Sequence, residues 1–567
     1  MDINCEDIII SEEYTDFIAD FTLLTSEELS NRGICYIPID SILTAVYIPR
    51  AMVPSRSLDV LGYKAFVRIL GLLDIRSLED SGVIRLRNIP ELNLRGNQVL
   101  VGIVDTGIDY THKAFIKADG TTKIVSIWDQ TILQGNPPEG LLFGTEYTRD
   151  DINAALSSDD PRSIVPSNDD IGHGTFLAGV AAGNEDSENQ FSGVVPDAEL
   201  VVVKLKPAKN IIRDFYMIPH DAICYQENDI MLGVKYLLDT AKKYGRPLSI
   251  CIGLGTSQGS HDDEGSLSTY LSSVAQLHGT SVCIAAGNEG ISRHHFESIM
   301  PAEVDNETVE LNVGPNEAGV YLEIWGDSPN TFGIDLTSPT GEYMPMIAPR
   351  ISERREVSFI FVETRIYIYF LLVGSRSGAQ LVIIRFQTPS EGIWRIGIYK
   401  RNRTLPLHFN IWLPINQFIG ADTYFIRPTP YTTLTSPGNV SLPVVVTAYD
   451  NVNDSLYLNA SRGFTRTGNF SPSLAAPGVN ILGPSSGNNY ITMSGTSVAT
   501  AHTTGIAAML LEWGVVRGNV ELMDGTDIKN FLIRGARREL GTIYPNRDWG
   551  FGILDVFGVF DNLRGNI

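Results

Sequence analysis

Three short glycine-rich segments hold the residue types needed to activate a hydroxyl nucleophile. Val101-Gly102-Ile103-Val104-Asp105-Thr106-Gly107 supplies a carboxylate. Gly172-His173-Gly174-Thr175 supplies an imidazole, and Ser494-Gly495-Thr496-Ser497 supplies hydroxyls. A serine needs a base to take its proton, and that histidine needs a carboxylate to fix its tautomer and stabilise the imidazolium. The expected roles are Asp105 as orienting acid, His173 as general base and Ser494 as nucleophile. Taken singly, each residue has a plain structural role: a turn cap, a satisfied core histidine, a helix N-cap. Their joint occurrence in the order Asp, His, Ser points to a serine peptidase, because that order distinguishes one class of triad enzyme from the others.

A fourth segment, Ala285-Ala286-Gly287-Asn288-Glu289-Gly290, puts an amide at the end of an apolar run. Asn288 is the expected donor to a tetrahedral oxyanion, an interaction worth about 3–4 kcal/mol of transition-state stabilisation.

Elements of alternating type must position these groups. Val99–Val104, Leu200–Leu205, Leu248–Leu254 and Ser281–Ala286 are continuous apolar runs, as in parallel strands buried on both faces. Between them Ile230, Val234, Leu237, Leu238 and Ala241 recur at helical spacing. The fold class is α/β with a parallel sheet. Residues 304–430 break the rhythm: Val309–Val313, Ile366–Val373, Leu381–Phe386, Trp394–Tyr399 and His408–Leu413 are strand-like and separated by turn residues, which predicts an inserted all-β module, a sandwich or jelly roll. Residues 1–76 form a small α+β block, with strands at Ile34–Ile37 and Ala45–Ile48 and helices at Ser26–Leu29 and Tyr63–Leu70. The core then runs over 77–303 and 431–567.

The chain has 567 residues and a formal net charge of −23, which offers no basic field for phosphates and argues against nucleic acid as a partner. The acidic N-terminus MDINCEDIIISEEYTDF lacks the pattern of a secretory signal, and Val357–Val373, interrupted by Glu363 and Arg365, is read as buried strands and not as a membrane span. Five scattered cysteines without CxxC spacing argue against a disulfide framework or zinc site and suit a reducing compartment.

Taken together, the four segments resemble the motifs of the subtilisin-like serine peptidases, the subtilases. Ser461-Arg462-Gly463 and Ala475-Ala476-Pro477-Gly478-Val479 extend the resemblance, which covers residues 95–300 and 431–560. Ala501 stands where proline is usual, Phe176 where a second histidine is frequent, and Ile252-Gly253-Leu254-Gly255 where Ser-Leu-Gly is usual. The resemblance implies that this strand pairs with an extended substrate backbone, with Gly253, Leu254 and Gly255 as the substrate-binding residues, and that the backbone N–H of Ser494 is the second oxyanion donor. The β-rich insertion, the short upstream block and the N-terminus resemble the Csp-type germination peptidases of spore-forming clostridia. That resemblance implies an intact peptidase made as a zymogen, with residues 1–76 as a prosegment cleaved near 72–80 and left docked, Leu70–Ser77 lying extended through the cleft. It implies a protein substrate, the precursor of a spore-cortex hydrolase, with the chain made in the cytoplasm and deposited in the spore. The competing expectations are a prosegment-inhibited scaffold that acts through its β module, and a general housekeeping peptidase. No cofactor is required. Subtilases often bind structural calcium in loops; Asp109, Asp186 and Glu188 are the acidic loop residues for it, without EF-hand spacing.

Overall fold

Alternate residues of the strand Leu100–Asp105 face two different cores. Leu100 and Val104 pack with one, Val101 and Ile103 with the other. A strand apolar on both faces must lie inside a layered structure, and it does. In the computed structural model, which describes residues 5–20, 34–53, 65–70, 80–350, 353–371 and 377–563, this strand occupies the middle of a nine-stranded sheet. Its parallel neighbours are Leu248–Ile252 on one side and Glu199–Lys204 on the other. Thr280–Ala285 and Val444–Asp450 extend the parallel run beyond Leu248–Ile252, and Ile124–Asp129 extends it beyond Glu199–Lys204. Antiparallel strands Ser455–Leu456 and Thr145–Thr148 close the two ends.

Two helices cover one face of this sheet. His173–Ala182 and Thr496–Leu511 are buried along their whole length and pack on each other. Their small residues allow this: Ala178, Ala181 and Ala182 in one, Ala499, Ala501, Ala507 and Ala508 in the other. The amphipathic helix Glu227–Tyr244 covers the other face through Ile230, Val234 and Leu237.

The inserted module is two antiparallel sheets, one of six strands and one of five. Leu322, Ile324, Val382 and Ile384 of the first meet Leu311, Ile334, Ile396 and Ile398 of the second in a separate core. The intervening residues of the six-stranded sheet, Tyr321, Trp325, Ile383 and Trp412, turn outward and join the core of the α/β domain. The module opens earlier than residue 304, because His295–Met300 pairs with Leu407–Trp412 at the edge of the six-stranded sheet.

Near the N-terminus Tyr14–Asp20, Leu43–Pro49 and Cys35–Pro38 form an antiparallel sheet in that order. Phe17, Ile37 and Tyr47 pack into the same core as Ile230 and Met231 of the helix Glu227–Tyr244. Two expectations are corrected in this block. Cys5 and Cys35 are joined by a disulfide, because the helix Cys5–Ile10 docks on the strand Cys35–Pro38 with the two Cα atoms 5.7 Å apart. The segment read as a helix at Tyr63–Leu70 is extended in its described part: Phe66 bridges Phe17, and Ile69–Leu70 pairs antiparallel with Tyr225–Gln226. Tertiary pairing there overrides a helical pattern. The helix read at Ser26–Leu29 lies outside the described residues, as does the segment 71–79 that contains most of the expected cleavage region and of the stretch Leu70–Ser77. No helix among the described residues is long and apolar enough to cross a membrane.

Candidate active site

Asp105 is the last residue of the central strand and is fully buried. One carboxylate oxygen, Oδ1, accepts the backbone N–H of Thr106 at 2.8 Å and lies 2.8 Å from His173 Nδ1. A buried carboxylate at Nδ1 fixes the proton there and leaves Nε2 as the basic nitrogen. His173 opens its helix, and Asp169 holds that helix start. Asp169 Oδ1 accepts from Gly172 N, and its Oδ2 accepts from both Thr175 N and Thr175 Oγ1, at 2.7–2.8 Å. Thr106 Oγ1 accepts from Gly174 N at 2.8 Å and ties the histidine helix to the turn after the aspartate. Gly174 is required at that crossing, since a Cβ there would collide with the Gly107 carbonyl. Asp169 and Thr106 were not singled out from sequence; their signal was adjacency to the two motifs.

The hydroxyl that meets His173 belongs to Ser497. Its Oγ lies 3.2 Å from His173 Nε2. Ser494, the expected nucleophile, is corrected by this geometry. It precedes the helix, after the strand Asn489–Met493, and its Oγ accepts the backbone N–H of Asn480 at 2.8 Å. Gly495 turns the chain, the helix begins at Thr496, and Ser497 is its second residue and fully buried. The physical reason is the helix terminus. A nucleophile that uses unpaired N–H groups at a helix start must sit within the first turn, and Ser494 lies outside it. The sequence carried a signal for this, because the apolar run resumes directly after Ser497. The N–H of Ser494, the expected second oxyanion donor, lies outside that first turn as well, and the N–H of Ser497 lies within it.

Asn288 follows Gly287, whose φ of +107° turns the chain after the strand Thr280–Ala285. Its Oδ1 accepts from Thr496 N and Thr496 Oγ1, both at 3.2 Å. With the acceptor end of the amide engaged by the residue before Ser497, the Nδ2 end is the one left to donate beside the nucleophile. Gly287 N donates to Thr496 Oγ1 at 3.1 Å, so Thr496 locks the asparagine turn to the serine helix.

The residues expected to bind substrate run away from this centre. A Cβ on Gly253 would stand 3.2 Å from Ser497 Cβ and 3.4 Å from His173 Cε1, so this glycine borders the reacting pair. Leu254 is fully buried. A Cβ on Gly255 would collide with Thr435, which also stands against Gly287 and donates to the Ala286 carbonyl at 3.3 Å.

Of the acidic loop residues, Asp109 and Asp186 are engaged elsewhere and Glu188 is exposed. Asp109 pairs with Arg162 at 2.7 Å and accepts from Thr111. Asp186 pairs with Lys113 at 2.7 Å. In the same region the buried Lys123 Nζ donates to the carbonyls of Ala182 and Pro196 and to Asn184 Oδ1. Among the described residues no three His, Cys, Asp or Glu side chains gather as metal ligands would.

The sequence matches the subtilase family over residues 96–314 and 427–552, on either side of most of the β module. The PI-type proteinase of Lactococcus lactis subsp. cremoris is 24% identical over 83% of this chain, and the C5a peptidase of Streptococcus pyogenes serotype M6 is 22% identical over 77%. The chain spans 26% of the length of the first and 36% of the second. The structure of the CspB protease of Clostridium perfringens is similar, with 32% identity and a TM-score of 0.76, covering 86% of this chain and 99% of that one. With a triad-like constellation on this sheet and a family match over more than half its length, the chain belongs to the subtilase family.

Proposed function

We propose that this protein is a serine endopeptidase in which Ser497 is the nucleophile, His173 the general base and Asp105 the orienting acid. The hydrogen-bonded chain Asp105–His173–Ser497 carries this reading. His173 Nε2 takes the Ser497 proton as Oγ attacks a peptide carbonyl, and Asp105 stabilises the imidazolium that forms. Asn288 and the Ser497 N–H hold the oxyanion, and His173 returns the proton to the leaving amine. Water then repeats the sequence on the acyl-enzyme.

A fluorophosphonate serine reagent tests the assignment. Ser497→Ala abolishes labelling, while Ser494→Ala retains it. Loss of label in Ser494→Ala with retention in Ser497→Ala overturns it.

The finer reading is a self-processing zymogen that activates the precursor of a spore-cortex hydrolase by limited proteolysis. Similarity to the Clostridium perfringens CspB protease over nearly its whole length supports it. The pairing of Ile69–Leu70 with Tyr225–Gln226 supports a docked prosegment. Intact mass checks the first step: wild type divides into a fragment of about seventy-five residues and the remainder, and Ser497→Ala stays whole. The docked segment equally favours a scaffold kept inhibited by its own N-terminus; that reading requires wild type to stay whole and unlabelled.

A further inference from the structure

Glu227 is the first residue of the helix Glu227–Tyr244, and its side chain is 1% exposed. It faces Arg68, whose side chain is 6% exposed. Arg68 Nε lies 3.3 Å from Glu227 Oε2, and Nη2 contacts Oε1. Leu267 N also donates to Oε1 at 2.9 Å and fixes the carboxylate. Arg68 N donates to the same carboxylate at Oε2, 3.2 Å away, and the backbones join where Glu227 N donates to Arg68 O at 2.8 Å. The next two residues, Ile69 and Leu70, continue antiparallel along Gln226 and Tyr225. Arg68 is thus presented as a peptide is presented, from an extended strand laid on an edge.

The walls of the pocket are cut to the guanidinium. A Cβ on Gly265 would collide with it, and a Cβ on Gly259 would stand 2.7 Å from Nη1. Both glycines lie in the segment that leaves the active site at Gly253, which itself borders Ser497 and His173. Backbone pairing of this kind accepts any sequence, whereas the pocket reads one side chain.

On the peptidase reading above, we propose that Glu227, Gly259 and Gly265 form an arginine-selective subsite for extended peptide substrates, which the chain fills with its own Arg68. A substrate with a neutral residue there leaves a buried carboxylate unpaired, and removing one partner of a buried, hydrogen-bonded charge pair is strongly unfavourable. Lysine offers a point charge without the planar fork and fits less well.

Binding is measured first, with the full chain carrying Ser497→Ala and Arg68→Gln, so that nothing is cleaved and the chain's own strand, no longer placing arginine in the pocket, competes equally with every added peptide. The probes are two fluorescent peptides spanning residues 65–73 of this sequence, one with arginine and one with glutamine at the position of Arg68. The arginine peptide binds at least about 30-fold more tightly, and adding Glu227→Gln brings the ratio to about one. A ratio near one with Glu227 intact, or a preference that survives Glu227→Gln, overturns the subsite. If Arg68→Gln does not fold, Arg68→Lys replaces it, and the arginine peptide is again the stronger competitor for the pocket. Fluorophosphonate labelling of the chain with Ser497 restored separates the two claims. Label without peptide preference removes the subsite alone, and preference without label removes the peptidase reading alone.

Discussion

At the scale of single residues, the site depends on which groups are held at a distance from water. Asp105 and Ser497 are fully buried and His173 nearly so, which places the proton transfer in a low-dielectric setting where oriented donors act strongly. Asn288→Ala lowers kcat about 10²–10³-fold with KM little changed, because its donation matters to the oxyanion and not to the bound peptide. Steady-state kinetics on a fluorogenic peptide checks this; a change confined to KM contradicts the assigned role. Ser494 and Ser497 show how three residues decide a role. Both flank the same Gly-Thr pair, but only Ser497 lies within the first turn of the helix and against His173.

At the scale of elements, the centre is a crossing of one strand end and two helix starts. Leu100–Asp105 brings Asp105, the helix His173–Ala182 brings His173 and the helix Thr496–Leu511 brings Ser497. Glycines set how closely they meet. Gly174→Ala pushes the histidine helix off the Gly107 carbonyl. The expected cost is about 1–3 kcal/mol of stability, seen as a lower urea midpoint, together with loss of serine labelling. An unchanged midpoint with full labelling contradicts the crossing described here. The same scale explains the misread helix at Tyr63–Leu70. Its apolar residues suit a helix in isolation, but Phe66 bridges Phe17 and the next residues find strand partners in Tyr225–Gln226.

At the scale of the whole molecule, the β module is joined to the α/β core by both apolar and polar contacts. His408 lies 2.9 Å from Glu297 and 2.8 Å from Asp327, and Asp327 also pairs with Arg466 outside the module. The Asp327 and Glu297 carboxylates hold the His408 imidazolium up to about 9. A base with a raised folded pKa stabilises the fold fully below its unfolded value of about 6.5, and that contribution fades as pH rises through about 9. His408→Gln is therefore less stable than wild type at pH 6, and the gap closes above pH 9. Urea midpoints across that range check the sign; a gap that widens with pH contradicts it.

The sequence by itself determined the chemistry and the class of fold. Buried parallel strands announce themselves as unbroken apolar runs, and Asp105, His173 and Asn288 lie at the ends of such runs or at a helix start. It also marked the β-rich insertion by its turns and alternating strands. Tertiary structure decided the rest. Which serine faces His173 depends on where the helix begins, a choice made by Gly495 and by contact with Asn288. The pairing of Cys5 with Cys35 depends on one helix docking on one strand. The burial of Arg68 against Glu227 joins residues 159 apart in the chain. Local pattern reports how each segment buries its own apolar face; the partner that completes a polar group is set only when distant segments meet.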